Sequence, residues 1–431
     1  MVKFQTAKGV RDIPPEEKII KNKVVETISK TFELYGFSPL ETPIIERYET
    51  LAAKTGTGEE SDALKETFKL TDQGKRKLAL RFELTTSLAR YIAQNPNIKL
   101  PFKRYEVGPN FRDGPIKLGR ERQFWQCDAD TVGAKSILTE AEQISILDSV
   151  FKKLNFKFEI KINNRKLLNG ILNQAGIKKQ KEAITSIDKL KKIGKEGVTK
   201  ELLDKGYTKN QTNKVFKILK NEKLKDLKKI ITDESGKQGI FELEELFDYL
   251  KQLNIKSIKF EPSLARGQAY YTGTILEAFF TKSKSGITSS IASGGRYDNM
   301  IGGFIGGGRI IPAVGISFGL TSIVEELKQN VEQQTKRLTK VLVIPIKTEK
   351  QSLKIVQKLR EKNINTEISL LKKGITKSLQ YANSLNIPYC IIIGEKELSK
   401  NKVVLRNMIT GDEKEITIKQ IIKFLKWILN K

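Results

Sequence analysis

Between Pro101 and Asp130 the chain reads PFKRYEVGPNFRDGPIKLGRERQFWQCDAD, and most of the alternate positions on either side of a glycine-broken stretch carry charged or amide side chains. Two aromatic-rich runs flank the turn residues Asp113-Gly114-Pro115 and Gly119, which predicts a β-hairpin with one strand ending near Arg112 and the next starting at about Arg122. Alternation then puts Arg104, Glu106 and Arg112 on one face of the first strand, and Arg122, Phe124, Gln126, Asp128 and Asp130 on one face of the second. Arginines at the loop end, with a glutamine and carboxylates further in, suit a polyphosphate held beside a small zwitterion. A solvated hairpin face has the same alternation, so the hairpin by itself does not decide.

Other stretches carry the same chemistry. Leu80-Arg-Phe-Glu-Leu-Thr-Thr-Ser enters a predicted helix at Thr85 to Tyr91, where Glu83 can bind an ammonium and Thr85 can cap the helix or hydrogen-bond a ligand. Only 16 of the 78 basic residues are arginine, yet Arg81, Arg112, Arg120, Arg122, Arg266, Arg296 and Arg309 all fall in such stretches. Lysine serves for generic charge, whereas a planar guanidinium is needed where phosphate or carboxylate is gripped bidentately. The chain has no histidine, which excludes a histidine base, metal ligand or near-neutral switch. Catalysis must then rest on positioning and on arginine or metal electrostatics. The glycine-rich Ser293–Ile323 stretch is neither a dinucleotide fingerprint nor a phosphate-binding P-loop.

These residues need a scaffold, and 431 residues with 39% apolar and 30% charged content are enough for two to four globular domains. No apolar run approaches a membrane span, and the first residues lack the apolar core of a signal peptide, so a cytoplasmic location is expected. Two cysteines, Cys127 and Cys390, are too few for a disulfide framework or a zinc site. The net charge of +28 points to a polyanionic partner. It is concentrated between Lys178 and Ile230, where 17 lysines face 7 acids. An amphipathic helix is predicted from Ile20 to Tyr35, ended by Gly36, and lysine-rich helical runs such as Asn213 to Leu227 fill the region from about Arg165 to Lys256. A strand returns at Ile255–Phe260. After a polar linker at Lys336–Lys340, a separate α/β pattern begins at Val341 and closes with a hairpin around Thr410-Gly411.

GPNFRDGPIKLGRERQFWQCDAD resembles motif 2 of the class II aminoacyl-tRNA synthetases, and its GR-x-R-x-F-x-Q-x-D tail resembles the histidyl branch. Leu264–Glu277, LARGQAYYTGTILE, is similar to that branch's histidine-binding stretch; Ser293–Ile323 resembles motif 3, and Pro39–Glu46 resembles the dimer-building motif 1. The resemblance implies an α/β (α+β) fold: an antiparallel-sheet catalytic core over residues 1–164 and 257–335, a helical insertion over 165–256, and a C-terminal α/β anticodon-binding domain over 340–431. It implies a homodimer that joins L-histidine to tRNA(His) through histidyl-adenylate, with ATP as substrate and Mg²⁺ carried by the nucleotide. By the same resemblance, Glu83, Thr85, Arg112, Gln126, Asp130, Arg266, Tyr270 and Tyr271 bind histidine. Arg112, Arg120, Arg122 and Arg309 bind ATP, and Arg112 and Arg266 carry the chemistry.

Two positions depart from the family pattern. The acid expected two residues after the motif 2 arginine is Gly114, with Asp113 as a substitute, and motif 3 ends Gly319-Leu320-Thr321-Ser322 without its phosphate-gripping arginine. Arg309, Arg296 or a differently placed Mg²⁺ are the candidates to compensate. The second departure also allows a non-catalytic paralogue that senses histidine or uncharged tRNA.

Overall fold

Alternating burial along two ten-residue strands sets the architecture. The computed structural model describes residues 4–53, 62–116, 118–266, 270–330, 337–370 and 374–429. Internal contacts divide the chain into one unit of residues 1–12 and 21–330 and another of residues 13–20 and 331–431.

The strands of the first unit are, in chain order, β1 (Ser38–Pro39), β2 (Ile45–Arg47), β3 (Lys69–Thr71), β4 (Lys77–Leu80), β5 (Phe102–Phe111), β6 (Gln123–Val132), β7 (Phe158–Asn164), β8 (Ile258–Phe260), β9 (Thr274–Phe280), β10 (Ala292–Arg296) and β11 (Ala313–Gly319). Eight of them form one sheet in the order β1-β5-β6-β11-β10-β9-β7-β8, and β2, β4 and β3 form a small antiparallel sheet. In the large sheet only the edge pairs β1·β5 and β7·β8 are parallel. The expected hairpin is present as β5 and β6, with Arg104 opposite Asp130, Glu106 opposite Asp128 and Gly108 opposite Gln126.

Period 2 decides what each face of this hairpin does. Tyr105, Cys127 and Ala129 are buried on one face, and Tyr105 stacks 5.4 Å from Phe32 of the helix Pro15–Leu34. Phe318 of β11 packs 5.9 Å from Phe32 and 5.5 Å from Phe151 of the helix Leu138–Lys153. These helices exclude water from one side of the sheet. The other side receives Arg104, Glu106, Gln126, Asp128 and Asp130. Gly36, with φ +80°, ends the first helix as its position predicts.

Between β7 and β8 lie six helices, from Arg165–Gln174 to Glu234–Gln252. Asn164 caps the first by accepting from the Lys166 amide at 2.8 Å, and Thr208 and Gln211 form a capping box on Lys209–Leu219. The lysine-rich run expected to be helical from Asn213 to Leu227 breaks between Leu219 and Leu224, and the second helix extends to Ile230. Lys189 and Lys205 both reach Glu201, and their hydrogen bonds hold its carboxyl down at about 2.

In the second unit β12 (Val341–Pro345), β13 (Thr366–Ile368), β14 (Tyr389–Ile393), β15 (Lys402–Asn407) and β16 (Glu413–Thr417) make a sheet in the order β13-β12-β14-β15-β16. One of its faces buries Val343, Ile355, Leu359, Ile391 and Leu425, the other Leu342, Ile344, Ala382, Ile387 and Ile392. The α/β pattern starts at Val341 as expected, and the hairpin expected around Thr410-Gly411 is β15 and β16. Of the predicted linker, Lys336 lies outside the described residues.

Candidate active site

β6 runs between β5 and β11, so its inward side chains meet both neighbours. Gly315, Ser317 and Gly319 of β11 stand opposite Asp130, Asp128 and Gln126. The two glycines leave room where a third layer of side chains would close the face. At Gly315 the space is already taken by the acid itself: an added Cβ would lie 1.9 Å from Asp130 Oδ1. Over this gap lies a cavity of about 250 Å³ lined by Glu83, Thr85, Arg112, Phe124, Gln126, Asp128, Asp130, Arg266, Tyr270, Tyr271, Ser293, Tyr297 and Ser317, among others. That is the small end of ligand cavities, sized for an amino acid and part of a nucleotide.

The eight residues expected to hold histidine therefore line a single cavity, although they come from three separate stretches of chain. Each is held by its surroundings. Gln126 accepts from Asn110 Nδ2 at 2.7 Å and donates to Ser317 Oγ at 2.5 Å, which fixes its amide orientation. Glu83 accepts from Thr86 Oγ1 at 2.7 Å. The helix Thr85–Gln94 has Leu84 at its N-cap with no side-chain cap, so Thr85 does not serve as the cap and faces the cavity instead. Arg112 donates from Nε to the Phe82 carbonyl at 3.1 Å and lies 4.9 Å from the Phe124 ring. Tyr270 and Tyr271 pack with ring centroids 4.6 Å apart. Arg266 places Nη1 3.4 Å from Glu277 and its guanidinium 5.4 Å from the Tyr271 ring.

Below the cavity floor is a buried charge network. Arg81 pairs with Glu106 at 2.7 Å and also donates to the Thr42 carbonyl. Arg104, fully buried, lies 3.0 Å from Asp130 and 3.5 Å from Glu106. Burial works against its charge, but Asp130, Glu106 and Asp128 together raise its pKa. Tyr297 donates to Asp130 Oδ1 at 2.5 Å. Burial also pushes the Asp130 carboxyl up, against the pull of Arg104 and that hydroxyl. Asp128 is raised to about 8, chiefly by burial, with Arg104 pulling down and Asp130 pushing up. Burial lowers the pKa of Arg112, and Arg120 adds to that, while Glu83 opposes it.

Of the arginines expected to bind ATP, Arg112 lines this cavity, and Arg120, Arg122 and Arg309 do not. Arg120, half exposed, lies 3.6 Å from Glu66, and Arg122 pairs with Asp113 at 2.9 Å; both sit at the hairpin tip, where the Arg112 amide donates to the Arg122 carbonyl. Arg309 is exposed in the stretch between Ile305 and Ala313. Arg296 is not available for phosphate, because Glu140 holds its Nε and Nη2 at 2.7 Å each in a buried bidentate pair. Arg81, too, is spent on a buried acid. Asp113 is engaged by Arg122, whereas Glu66 lies where a side chain at Gly114 would be: an added Cβ there would sit 2.9 Å from the Glu66 carboxyl carbon. Glu66 gave no signal in the sequence, since nothing local ties it to the hairpin. Tyr297 and Ser317 were inside a recognised stretch, but only the cross-strand register aims them at the acids. Asp128 was legible from alternation alone.

A family model described as histidyl-tRNA synthetase matches residues 9–323, and one described as an anticodon binding domain matches residues 340–427. The chain is 45% identical to histidine–tRNA ligase 1 of Bacillus cereus over 433 aligned residues, covering 99% of this chain and 100% of that one. It is 40% identical to histidine–tRNA ligase 2 of Shouchella clausii, covering 96% and 98% of the two chains. The crystal structure of histidyl-tRNA synthetase from Nostoc sp. PCC 7120 superposes with a TM-score of 0.86 at 32% identity, covering 99% of each chain. With the motif 2, histidine-binding and motif 3 stretches all contributing to one cavity on a mainly antiparallel sheet, and with relatives that match along its whole length, the chain belongs to the histidyl-tRNA synthetase family.

Proposed function

We propose that the chain attaches L-histidine to tRNA(His) in two steps, first forming histidyl-adenylate and pyrophosphate from histidine and ATP, then passing the acyl group to the 3′ end of the tRNA. The observation that carries this reading is the convergence of Glu83, Gln126 and Asp130 with Arg112 and Arg266 around one amino-acid-sized cavity. Glu83 and Gln126 hold the amino-acid end, and Asp130 with Tyr270 and Tyr271 frames the imidazole. The histidine carboxylate attacks the α-phosphate in line. Arg112 and Arg266 neutralise the charge that builds there, as preorganised donors do in a water-poor site. Arg120 and Arg122, at the hairpin tip, and Arg309 take the rest of the nucleotide.

Mg²⁺ enters with the nucleotide and supplies charge neutralisation on its phosphates; among the described residues no group of three or more acids or cysteines is arranged to hold a metal. Residues 1–164 and 257–335 act as the catalytic core. The lysine-rich helices of 165–256 lean on the tRNA acceptor arm, and 340–431 reads the anticodon. Two copies pair through the Pro39–Glu46 segment, in the cytoplasm. No helix among the described residues is long and apolar enough to cross a membrane.

Histidine-dependent ATP–pyrophosphate exchange by the purified protein, with Mg²⁺ and without tRNA, tests the reading. Exchange specific for histidine is the expected result and makes Ser322 a tolerated variant. Folded protein that binds tRNA(His) but gives no exchange would instead be the histidine or tRNA sensor. The cavity floor gives a sharper prediction. Gly315→Ala forces Asp130 to move, and displacing a positioned group by about 1 Å can cost about 10²-fold. The KM for histidine in exchange is expected to rise by about that factor, with the KM for ATP unchanged.

A further inference from the structure

Asp128 has no assigned role, yet it lines the cavity and is only 4% exposed. Its Oδ1 has no hydrogen-bond partner among the described residues. A buried carboxyl oxygen left this way costs stability unless a ligand meets it. The surrounding charges give the same signal. Arg81 and Arg104 are the cations of the buried network, and Glu106, Asp128 and Asp130 are its acids, so the network carries one acid too many. Arg81 is committed to Glu106, and Arg104 is closest to Asp130. Asp128 is the acid left over. The charged and titratable groups facing it are Arg104 and Glu106 from β5, Asp130 from its own strand, Tyr297 beyond β10 and Glu83 ahead of the helix Thr85–Gln94, with the Ser317 hydroxyl of β11 as a hydrogen-bond partner.

We propose that Asp128 is a second carboxylate for the α-ammonium of the bound amino acid, shared with Glu83, and that it holds a proton in the empty cavity and releases it to solvent when the ammonium enters. The inference rests on the reading that the cavity takes histidine. The ammonium is chosen over the ring because the network lacks a full positive charge, which a neutral imidazole N–H does not supply. Asp130 is already engaged by charge and hydroxyl: Oδ1 accepts from Tyr297, and Oδ2, which makes no hydrogen bond, is ion-paired with Arg104 at 3.0 Å. Asp128 lies on the inward face of β6 between Gln126 and Asp130, one inward position from each. The step is a proton transfer alone: the O–H bond of the Asp128 carboxyl breaks, its proton goes to a buffer base, and the resulting carboxylate pairs with the ammonium. Burial, with Asp130 and Glu83 adding to it, keeps the empty-site carboxyl protonated at about 8, so at pH 7 most molecules hold this proton.

Calorimetric titration of the full-length protein with L-histidine at pH 7, in two buffers of different ionisation enthalpy, counts the protons released. Wild type is expected to release most of one proton per histidine bound, and Asp128→Asn, which matches the neutral acid in shape, none. The variant should still bind histidine, about tenfold more weakly for want of the charge-assisted contact. Histidinol, which keeps the amine, should release the proton; 3-(imidazol-4-yl)propanoate, which lacks it, should not. Equal release by Asp128→Asn and wild type, or by the des-amino compound and histidine, overturns the proposal while leaving histidine binding intact. Wild type that binds no histidine overturns the underlying reading together with it. A second readout needs no ligand. A carboxyl raised in the folded state contributes stability that is lost as pH rises through its folded pKa. The melting temperature of the unliganded wild type should therefore fall relative to Asp128→Asn between pH 5 and pH 8 and level off above it; parallel curves across pH 5–8 would show that Asp128 does not titrate there.

Discussion

Replacing Arg266 with alanine is expected to lower histidine-dependent pyrophosphate exchange by about 10²–10³-fold, the usual loss for one preorganised donor aimed at developing charge. The Arg266 side chain is only 15% exposed, and Nη1, 3.4 Å from Glu277, makes no hydrogen bond among the described residues, which leaves that donor for a ligand oxygen. Burial works to lower its pKa, but Tyr271, Glu277 and Tyr270 outweigh burial and raise it, so the group stays a cation. Its backbone is anchored apart from its charge, through the Arg165 donation to the Arg266 carbonyl at 2.8 Å. The variant should therefore fold, and filter binding should give an unchanged affinity for tRNA(His), because the proposed tRNA contacts draw on the lysine-rich helices and not on this cavity. Arg266→Lys should recover only part of the rate, since a point charge cannot fork between two oxygens. Exchange near the wild-type rate in Arg266→Ala would remove Arg266 from the chemistry.

Arg296→Ala is expected to act on stability. Its partner Glu140 is fully buried, and the arginine also donates to the Ala134 and Ser136 carbonyls at 3.3 and 3.2 Å and lies 3.3 Å from Asp298. Deleting one partner of such a pair leaves an uncompensated buried charge, at a cost of about 3–5 kcal/mol. The loss has a pH signature. Burial raises the Glu140 carboxyl even now, against the hydrogen bonds and charge of Arg296, so without the arginine it rises further. The variant should then be least stable at high pH and recover as pH falls and Glu140 takes a proton. Scanning calorimetry across pH 5–9 measures this, and Glu140→Leu added to Arg296→Ala should restore part of the lost melting temperature. An unchanged melting temperature together with a raised KM for ATP would return Arg296 to the phosphate-binding set that its position in sequence suggested.

The contrast between these two arginines shows where sequence reading runs out. Both stand in glycine-rich, motif-bearing stretches, and residue type alone cannot separate a guanidinium facing a cavity from one sealed against an acid. The separation depends on Glu140, 156 positions away from Arg296. Where the information was local, it was legible. The β5–β6 hairpin, the face shared by Gln126, Asp128 and Asp130, and the strand and helix sequence after Val341 all follow from period 2, period 3.6 and turn residues. Long-range register was not legible: no pattern in the sequence places Ser317 opposite Asp128 or Glu66 against Gly114. Thr85 shows the same limit at short range, because a good capping residue fell one position past the cap.

The short ends of the large sheet have a consequence of their own. One edge, β1, has two residues, the second a proline with no amide hydrogen to offer; the other, β8, has three. A sheet bounded this way presents almost no ladder of open backbone groups, so it cannot serve as a template for strands of another chain. The eight strands can carry a row of buried acids through their middle without inviting runaway edge-to-edge stacking, and any contact that two copies make along these borders must be built from side chains.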